Sequence, residues 1–172
     1  PRTADEGTRA SLSAPRAMSS NDLYSAVAPF PERFNLCDYF LDRNVREGRA
    51  NKVALRCGER SATYAQVSER VKRVAAALRR AGVRPEERVL IVLPDIPEFA
   101  EAWFGVLRAG GVFAMVNPLL HTEQYAEYLE YTKARVVITH TDVLPAIAPA
   151  IRAARLATQA FVVGPDAGGF AA

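Results

Sequence analysis

The sequence from Arg88 onward alternates short apolar runs with amphipathic segments, and this alternation constrains the fold more than any other feature. The apolar runs have the length of strands and lie at 88–93, 112–116, 135–139 and 159–163. The first run is apolar on both faces, which is typical of a strand inside a parallel sheet. The order β-α-β-α-β-α-β with short loops therefore predicts an α/β fold with a mostly parallel, helix-covered sheet and right-handed crossovers.

Capping and breaking residues mark the helices that separate these strands. Asp95 is a candidate N-cap for a helix that ends at Gly110-Gly111. Thr122 is the predicted N-cap of the next helix. Asp142 is predicted to start a last helix, which Pro149 is expected to kink or divide.

A second group of elements precedes the sheet. Asn35 is predicted to cap a helix that ends near Gly48, and residues 52–63 read as an early β-hairpin. We expect the hairpin at an edge of the main sheet or on a small neighbouring sheet. Thr63 and Gln66 match a capping box, so a further helix is predicted to begin there.

The helix after Thr63 carries one apolar face and one basic face. The apolar face recurs at helical spacing and comprises Val67, Val71, Val74, Ala75 and Leu78. The opposite side comprises Arg70, Lys72, Arg73, Arg79 and Arg80. A basic patch for nucleic acid is one interpretation of these five cations. We favour a solvated helix face, because such a face explains them without a partner.

Charge, hydropathy and cysteine usage narrow the class of protein. A net charge of +3 requires neither nucleic acid nor an anionic membrane as a partner. No apolar run approaches the roughly 20 residues that span a bilayer. Cys37 and Cys57 do not form a C-x-x-C motif, and we predict that both are reduced. These features predict a cytoplasmic protein that binds neither nucleic acid nor membrane.

The sequence carries no recognisable glycine-rich phosphate loop. No G-x-x-x-x-G-K-[ST] motif is present, and no G-x-G-x-x-G motif follows a predicted strand. The late pair Gly168-Gly169 is expected in a flexible end or a connector. Gly110-Gly111 is best explained as the end of a helix.

Histidines and tyrosines are the remaining candidate site residues. His121 and His140 lack carboxylates or thiols at metal-binding spacing, although His140 follows a predicted strand, where catalytic groups often lie. Tyr125 and Tyr128 are predicted to pack on the core, with an aromatic substrate platform as the alternative. We therefore predict no catalytic, cofactor-binding or metal-binding residue in this chain.

Several segments in consistent order resemble a known superfamily. They are PERFN, the ATY after the hairpin, GVRPEERV and VNPLLHTEQYAEYLE. Together they resemble the N-terminal region of the acyl- and aryl-CoA synthetases, which are adenylate-forming enzymes. The resemblance is greatest to benzoate-CoA ligases and to substituted-benzoate ligases, such as anthranilate-CoA ligases. It covers roughly residues 29–163.

The resemblance implies an ATP-dependent ligase that makes an aryl-AMP and then an aryl-CoA thioester. It implies ATP, Mg²⁺ and CoA as cofactors of the parent enzyme, and an aromatic carboxylate as substrate. The family's phosphate loop, ribose-binding aspartate and catalytic lysine have no counterpart here, so no catalytic residue is carried over. We expect a fragment that is inactive alone and holds none of these cofactors. Its partner is expected to be the remainder of the ligase polypeptide, or a second chain that carries it.

The resemblance also divides the chain. Residues 1–28 are predicted to be a flexible segment, 29–163 the α/β subdomain of the ligase, and 164–172 a connector or truncated end. Two other functions remain open, namely a carrier-loading aryl adenylation domain of a biosynthetic assembly line and a standalone binding module that reuses this subdomain. An open sheet edge and an apolar face further predict a tightly bound second chain or self-association.

Overall fold

Six strands and four α-helices make up the part of the protein that a computed structural model describes, residues 31–155 and 158–164. The predictions for residues 1–28 and for the end of the chain after Gly164 lie outside these residues. In chain order the elements are β1 Val53–Cys57, β2 Arg60–Thr63, α1 Tyr64–Arg80, β3 Arg88–Val92, α2 Pro97–Ala109, β4 Val112–Met115, α3 Thr122–Thr132, β5 Val136–His140, α4 Leu144–Ala153 and β6 Gln159–Val163.

The last four strands form one parallel sheet in the order β4-β3-β5-β6. Leu90 in β3 pairs with Ala114 in β4 and with Val137 in β5, so β3 lies inside the sheet as its apolar sequence predicts. The hairpin of β1 and β2 forms a separate two-stranded antiparallel sheet, which was one of the two positions expected for it. The predicted α/β fold class is confirmed.

Helices cover both faces of the parallel sheet. On one face, Ile91 packs with buried residues of α1 and α2, including Leu78 and Val106. On the other face, Leu90 packs with Tyr125 of α3 and with residues of α4. Each fully buried Leu or Ile side chain contributes about 1.5–3 kcal/mol to folding. Among the described residues, no helix has the combined length and apolar character needed to cross a membrane.

The chain before the hairpin forms two π-helical turns, Asp38–Asp42 and Val45–Arg49. Asn35 caps this segment as predicted, because its side-chain oxygen accepts hydrogen bonds from the backbone N–H groups of Cys37 and Asp38, at 2.9 and 3.3 Å. Gly48 has a φ of 84°, a value that glycine adopts readily, and ends the regular helix close to the predicted position.

The helix α1 begins with the predicted capping box. The Thr63 backbone N–H donates to Gln66 Oε1 at 2.9 Å, and the Gln66 backbone N–H donates to Thr63 Oγ1 at 3.3 Å. All five residues of the predicted apolar face are buried. Arg70, whose side chain is 40% exposed, pairs through its guanidinium with the buried carboxylate of Glu101 in α2. The other four cations of that face are exposed.

Two predicted N-caps are wrong by one residue. Ile96, not Asp95, precedes α2, because a residue before proline is held extended, and Ile96 has φ −119° and ψ 160°. His121, not Thr122, precedes α3, and the His121 backbone N–H donates to the side chain of Gln124 at 3.1 Å. The Thr122 hydroxyl instead donates to the Ala146 carbonyl at 2.8 Å and so links α3 to α4.

The last helix also starts later than predicted. Asp142 lies in a 3₁₀ turn, Thr141–Val143, and α4 follows it. Pro145 stands in the first turn of α4, where its missing N–H costs nothing. Pro149 lies inside α4 but does not divide it, since the helix runs on to Ala153.

Candidate functional site

The carboxyl ends of the four parallel strands meet at one edge of the sheet, where α/β proteins commonly bind ligands. Helix α2, which connects β3 to β4, lies on one face of the sheet. Helix α3, which connects β4 to β5, lies on the other face. The strand order therefore reverses between β3 and β5, and the carboxyl ends of these two strands flank a topological switch point. The loops after Val92, Met115 and His140 form the candidate functional site.

The loop after β4, residues 117–121, is held by hydrogen bonds along its length. Asn117 Oδ1 accepts from the Leu119 backbone N–H at 2.9 Å. The Tyr125 hydroxyl donates to the Asn117 carbonyl at 3.1 Å and accepts from the Leu120 backbone N–H at 3.3 Å. Leu119 itself is 84% exposed. The loop thus has a fixed backbone and an apolar tip in solvent.

Only one of the two tyrosines predicted in the core lies there. Tyr125 is fully buried, and this burial raises the pKa of its hydroxyl. Tyr128 is 43% exposed, so its predicted place in the core is wrong. The buried face of α3 is narrow, and Leu129 takes the second core position one turn after Tyr125.

His140 ends β5 at the switch point and is mostly buried. Its Nδ1 accepts a hydrogen bond from the Asp142 backbone N–H at 3.2 Å and lies 3.2 Å from the Asp142 carboxylate. The side chain therefore caps the following 3₁₀ turn. Within the described part of the chain, no group of three His, Cys, Asp or Glu side chains could hold a metal ion.

A four-charge cluster that the sequence reasoning missed joins the hairpin, α1 and α2. Arg60 pairs with Glu98, and Arg70 pairs with Glu101 at 2.9 Å. The two glutamates stand three residues apart on α2, a spacing that places them on one helix face and was the available signal. Beside them lies a cavity of about 210 Å³, whose lining includes Ser61.

The pKa values of the two glutamates in this cluster are shifted in opposite directions. Burial raises the pKa of Glu101, and the hydrogen bond and charge of Arg70 offset only part of this effect. Burial also disfavours the charged form of Glu98, but the hydrogen bond from Arg60, a hydrogen bond from the backbone N–H of Glu98 and the charges of Arg60 and Arg70 together outweigh it and hold the pKa of Glu98 below its usual value. The side chain of Glu101 is 6% exposed and that of Glu98 22%.

A second polar network fixes the N-terminal turns to the helices. Arg108 Nη1 donates to Asp42 Oδ2, and Ser68 Oγ donates to Asp42 Oδ1 at 3.0 Å. Arg108 also lies 3.7 Å from Cys37 Sγ. Burial and the charge of Asp42 raise the pKa of Cys37, and both Cys37 and Cys57 are free thiols. These contacts describe a scaffold and not an activated nucleophile.

Known proteins are similar to this chain in sequence and in fold. A family model for AMP-binding enzymes matches residues 41–167. A 4-hydroxybenzoate–CoA/benzoate–CoA ligase of Rhodopseudomonas palustris is 39% identical over 114 residues, which make up 66% of this chain and 21% of that protein. A benzoate CoA ligase from Burkholderia xenovorans LB400 superimposes with a TM-score of 0.73 at 36% identity, over 80% of this chain and 27% of that one.

An anthranilate CoA ligase in complex with anthranoyl-AMP superimposes equally well, with a TM-score of 0.73 at 34% identity, over 78% of this chain and 26% of that one. The chain thus spans only 21% to 27% of the length of these relatives. The resemblance inferred from the sequence motifs is confirmed. Because the family model covers most of its length, the chain belongs to the AMP-binding enzyme family.

Proposed function

We propose that this chain is the N-terminal portion of an ATP-dependent aryl-carboxylate CoA ligase of the benzoate type. In the first step, a carboxylate oxygen of the substrate attacks the α-phosphorus of ATP, which gives an aryl-AMP and releases pyrophosphate. In the second step, the thiol of CoA attacks the aryl carbonyl, which gives an aryl-CoA thioester and releases AMP. The chemistry requires phosphate binding, charge neutralisation and a dry pocket for the ring.

The observation that carries this proposal is the similarity in sequence and fold to benzoate-type ligases. A relative named for two benzoates and solved structures of a benzoate and an anthranilate CoA ligase all exceed 30% identity to this chain. The aromatic ring is common to the carboxylates in these names. An aryl carboxylate is therefore the substrate class that the similarity supports best.

In this proposal the chain contributes scaffold and not chemistry. We propose residues 29–163 as the N-terminal α/β subdomain of the ligase. We propose that no side chain of this chain acts as a catalytic, cofactor-binding or metal-binding group. ATP, Mg²⁺ and CoA are bound mainly by the remainder of the ligase polypeptide, or by a second chain that carries it. The protein acts in the cytoplasm, with neither nucleic acid nor membrane as a partner.

Pyrophosphate exchange tests the first step. The full-length protein that contains this chain is incubated with ATP, Mg²⁺ and labelled pyrophosphate, with benzoate or anthranilate as the variable acid. We expect exchange into ATP with these acids and little with a straight-chain fatty acid of similar mass. Exchange with the fatty acid alone would remove the aryl assignment, and no exchange with any acid would remove the ligase assignment.

The acceptor and the role of the fragment need two further measurements. Addition of CoA to the full-length protein should give an aryl-CoA thioester, whereas a requirement for a carrier protein would favour an adenylation domain of an assembly line. The isolated 172-residue chain should show no pyrophosphate exchange with benzoate or anthranilate. Exchange by the isolated chain would contradict the scaffold role.

A further inference from the structure

The hydroxyl of Tyr125 serves the loop at 117–121 and no other part of the described structure. Both of its hydrogen bonds go to backbone atoms of this loop, the Asn117 carbonyl at 3.1 Å and the Leu120 N–H at 3.3 Å. The ring is buried among Leu90, Val92 and other apolar residues of the core. Phenylalanine would fill the same core volume, so the hydroxyl contributes its hydrogen bonds to the loop and adds nothing to the packing of the core.

The loop depends on these bonds, because packing holds it only at its two ends. Leu119 at its centre is exposed, while Leu120 is half-buried against the core cluster that contains Tyr125. Before the loop, the Val116 N–H donates to the Ile91 carbonyl at 3.0 Å, and after it the His121 N–H donates to Gln124. Between these two anchors, the Asn117 carbonyl and the Leu120 N–H are both hydrogen-bonded to the Tyr125 hydroxyl.

The position of the loop connects its ordered conformation to ligand binding. It follows the carboxyl end of β4, next to the carboxyl end of β3, on the edge of the sheet where ligands of α/β proteins bind. A loop that is ordered before the ligand arrives does not lose that conformational freedom on binding, so the apparent affinity is higher.

We propose that Tyr125 is a positioning residue, which fixes the loop at 117–121 in the conformation that favours binding of one ligase substrate at the carboxyl edge. This inference rests on the function proposed above. It assigns no contact between Tyr125 and the substrate, because the side chain is buried and acts through the backbone of Asn117 and Leu120.

The test compares Tyr125→Phe with the wild type in the full-length ligase. Apparent KM values are measured separately for ATP, the aryl carboxylate and CoA, together with kcat, the melting temperature and hydrogen exchange at the Leu120 amide. Tyr128→Phe is the matched control, because Tyr128 lies three residues later on the same helix and is 43% exposed.

We expect Tyr125→Phe to raise the KM of one substrate about three- to tenfold, the effect of losing one or two buried hydrogen bonds, with kcat little changed. The Leu120 amide should exchange faster, the melting temperature should fall by no more than a few degrees, and Tyr128→Phe should match the wild type throughout. Unchanged exchange at Leu120 would overturn the proposal, and so would faster exchange with all three KM values unchanged.

A lower kcat together with a higher KM for every substrate and a strongly lowered melting temperature would indicate a general stability role and would also overturn the proposal. Failure of this inference is distinct from failure of the proposed function. No ligase activity in the wild type removes both, whereas an active wild type with an indistinguishable Tyr125→Phe variant removes only the role of Tyr125.

Discussion

Arg108 in α2 pairs with Asp42 in the first π-helical turn, 66 residues earlier in the chain. The pair is largely shielded, since 27% of the Arg108 side chain and 17% of the Asp42 side chain are exposed. Ser68 of α1 bonds the second carboxylate oxygen of Asp42. One carboxylate thus joins three separate elements, which explains how the short N-terminal turns stay attached to the helices.

Removing this carboxylate should destabilise the protein. In Asp42→Ala, the mostly buried guanidinium of Arg108 and the hydroxyl of Ser68 lose their acceptor, so we expect a loss of about 1–3 kcal/mol in the free energy of unfolding. Urea unfolding measures this loss. Asp38→Ala is the control, because its ion pair with Arg46 is more than half exposed and should contribute almost nothing. Equal effects of the two substitutions would contradict a special role for Asp42.

The corrected helix starts give a second prediction. Thr63→Ala should cost about 1 kcal/mol of unfolding free energy, because Thr63 accepts the hydrogen bond that caps α1. Asp95→Ala should cost less than about 0.5 kcal/mol, because Asp95 is exposed and lies outside the cap position of α2. Thermal or urea unfolding of both variants checks the difference. A loss at Asp95 equal to that at Thr63 would restore Asp95 as the cap.

The sequence predicted the sheet and the helices because their signals are local. An apolar run such as 88–93 or a capping box such as Thr63 with Gln66 is contained in a few adjacent residues. The pairing of Arg70 with Glu101 joins residues 31 apart, and no local pattern predicts which cation of α1 will pair with a buried carboxylate. The displaced cap at Asp95 follows from backbone geometry imposed by the next proline, which the pattern of residue types did not weigh.

The opposite pKa shifts of Glu98 and Glu101 predict opposite effects of pH. The folded-state pKa of Glu101 lies above its ordinary 4.5, so its contribution to stability is complete below that pH and is lost as the pH rises through the folded value. The folded-state pKa of Glu98 lies below 4.5, so its contribution is present above that pH and is lost as the pH falls through the folded value.

Neutral variants isolate each contribution. We expect the stability of the wild type relative to Glu101→Gln to fall as the pH rises above 4.5. The stability of the wild type relative to Glu98→Gln should rise as the pH rises towards 4.5. Urea unfolding of the three proteins across this pH range gives both differences, and each variant is the control for the other. If both stability differences changed with pH in the same direction, the opposite pKa shifts assigned to Glu98 and Glu101 would be wrong.

Gly105 allows α1 and α2 to pack closely. A Cβ atom at this position would lie 2.7 Å from Cβ of Val74 and would overlap Cγ1 of that residue. Gly105→Ala should therefore destabilise the protein by about 1–3 kcal/mol through overpacking. Combining it with Val74→Ala should recover part of this loss, so the double mutant should be more stable than the sum of the two single effects. Simple additivity of the two would show that the helices do not meet here.

The exposed sheet edge at β4 predicts that the isolated chain associates with itself or with a second chain. Among the described residues, β4 pairs with β3 alone, and Val112 and Met115 on it are 47% and 53% exposed. An open apolar strand edge attracts further strands, so we expect the isolated chain to self-associate or to retain a tightly bound second chain in light scattering. Met115→Lys should reduce this association, because an edge lysine disfavours strand addition, whereas Tyr131→Lys on α3, at a position that is 88% exposed, should not. A monodisperse wild-type monomer without dye-binding apolar surface would show that this edge is inert.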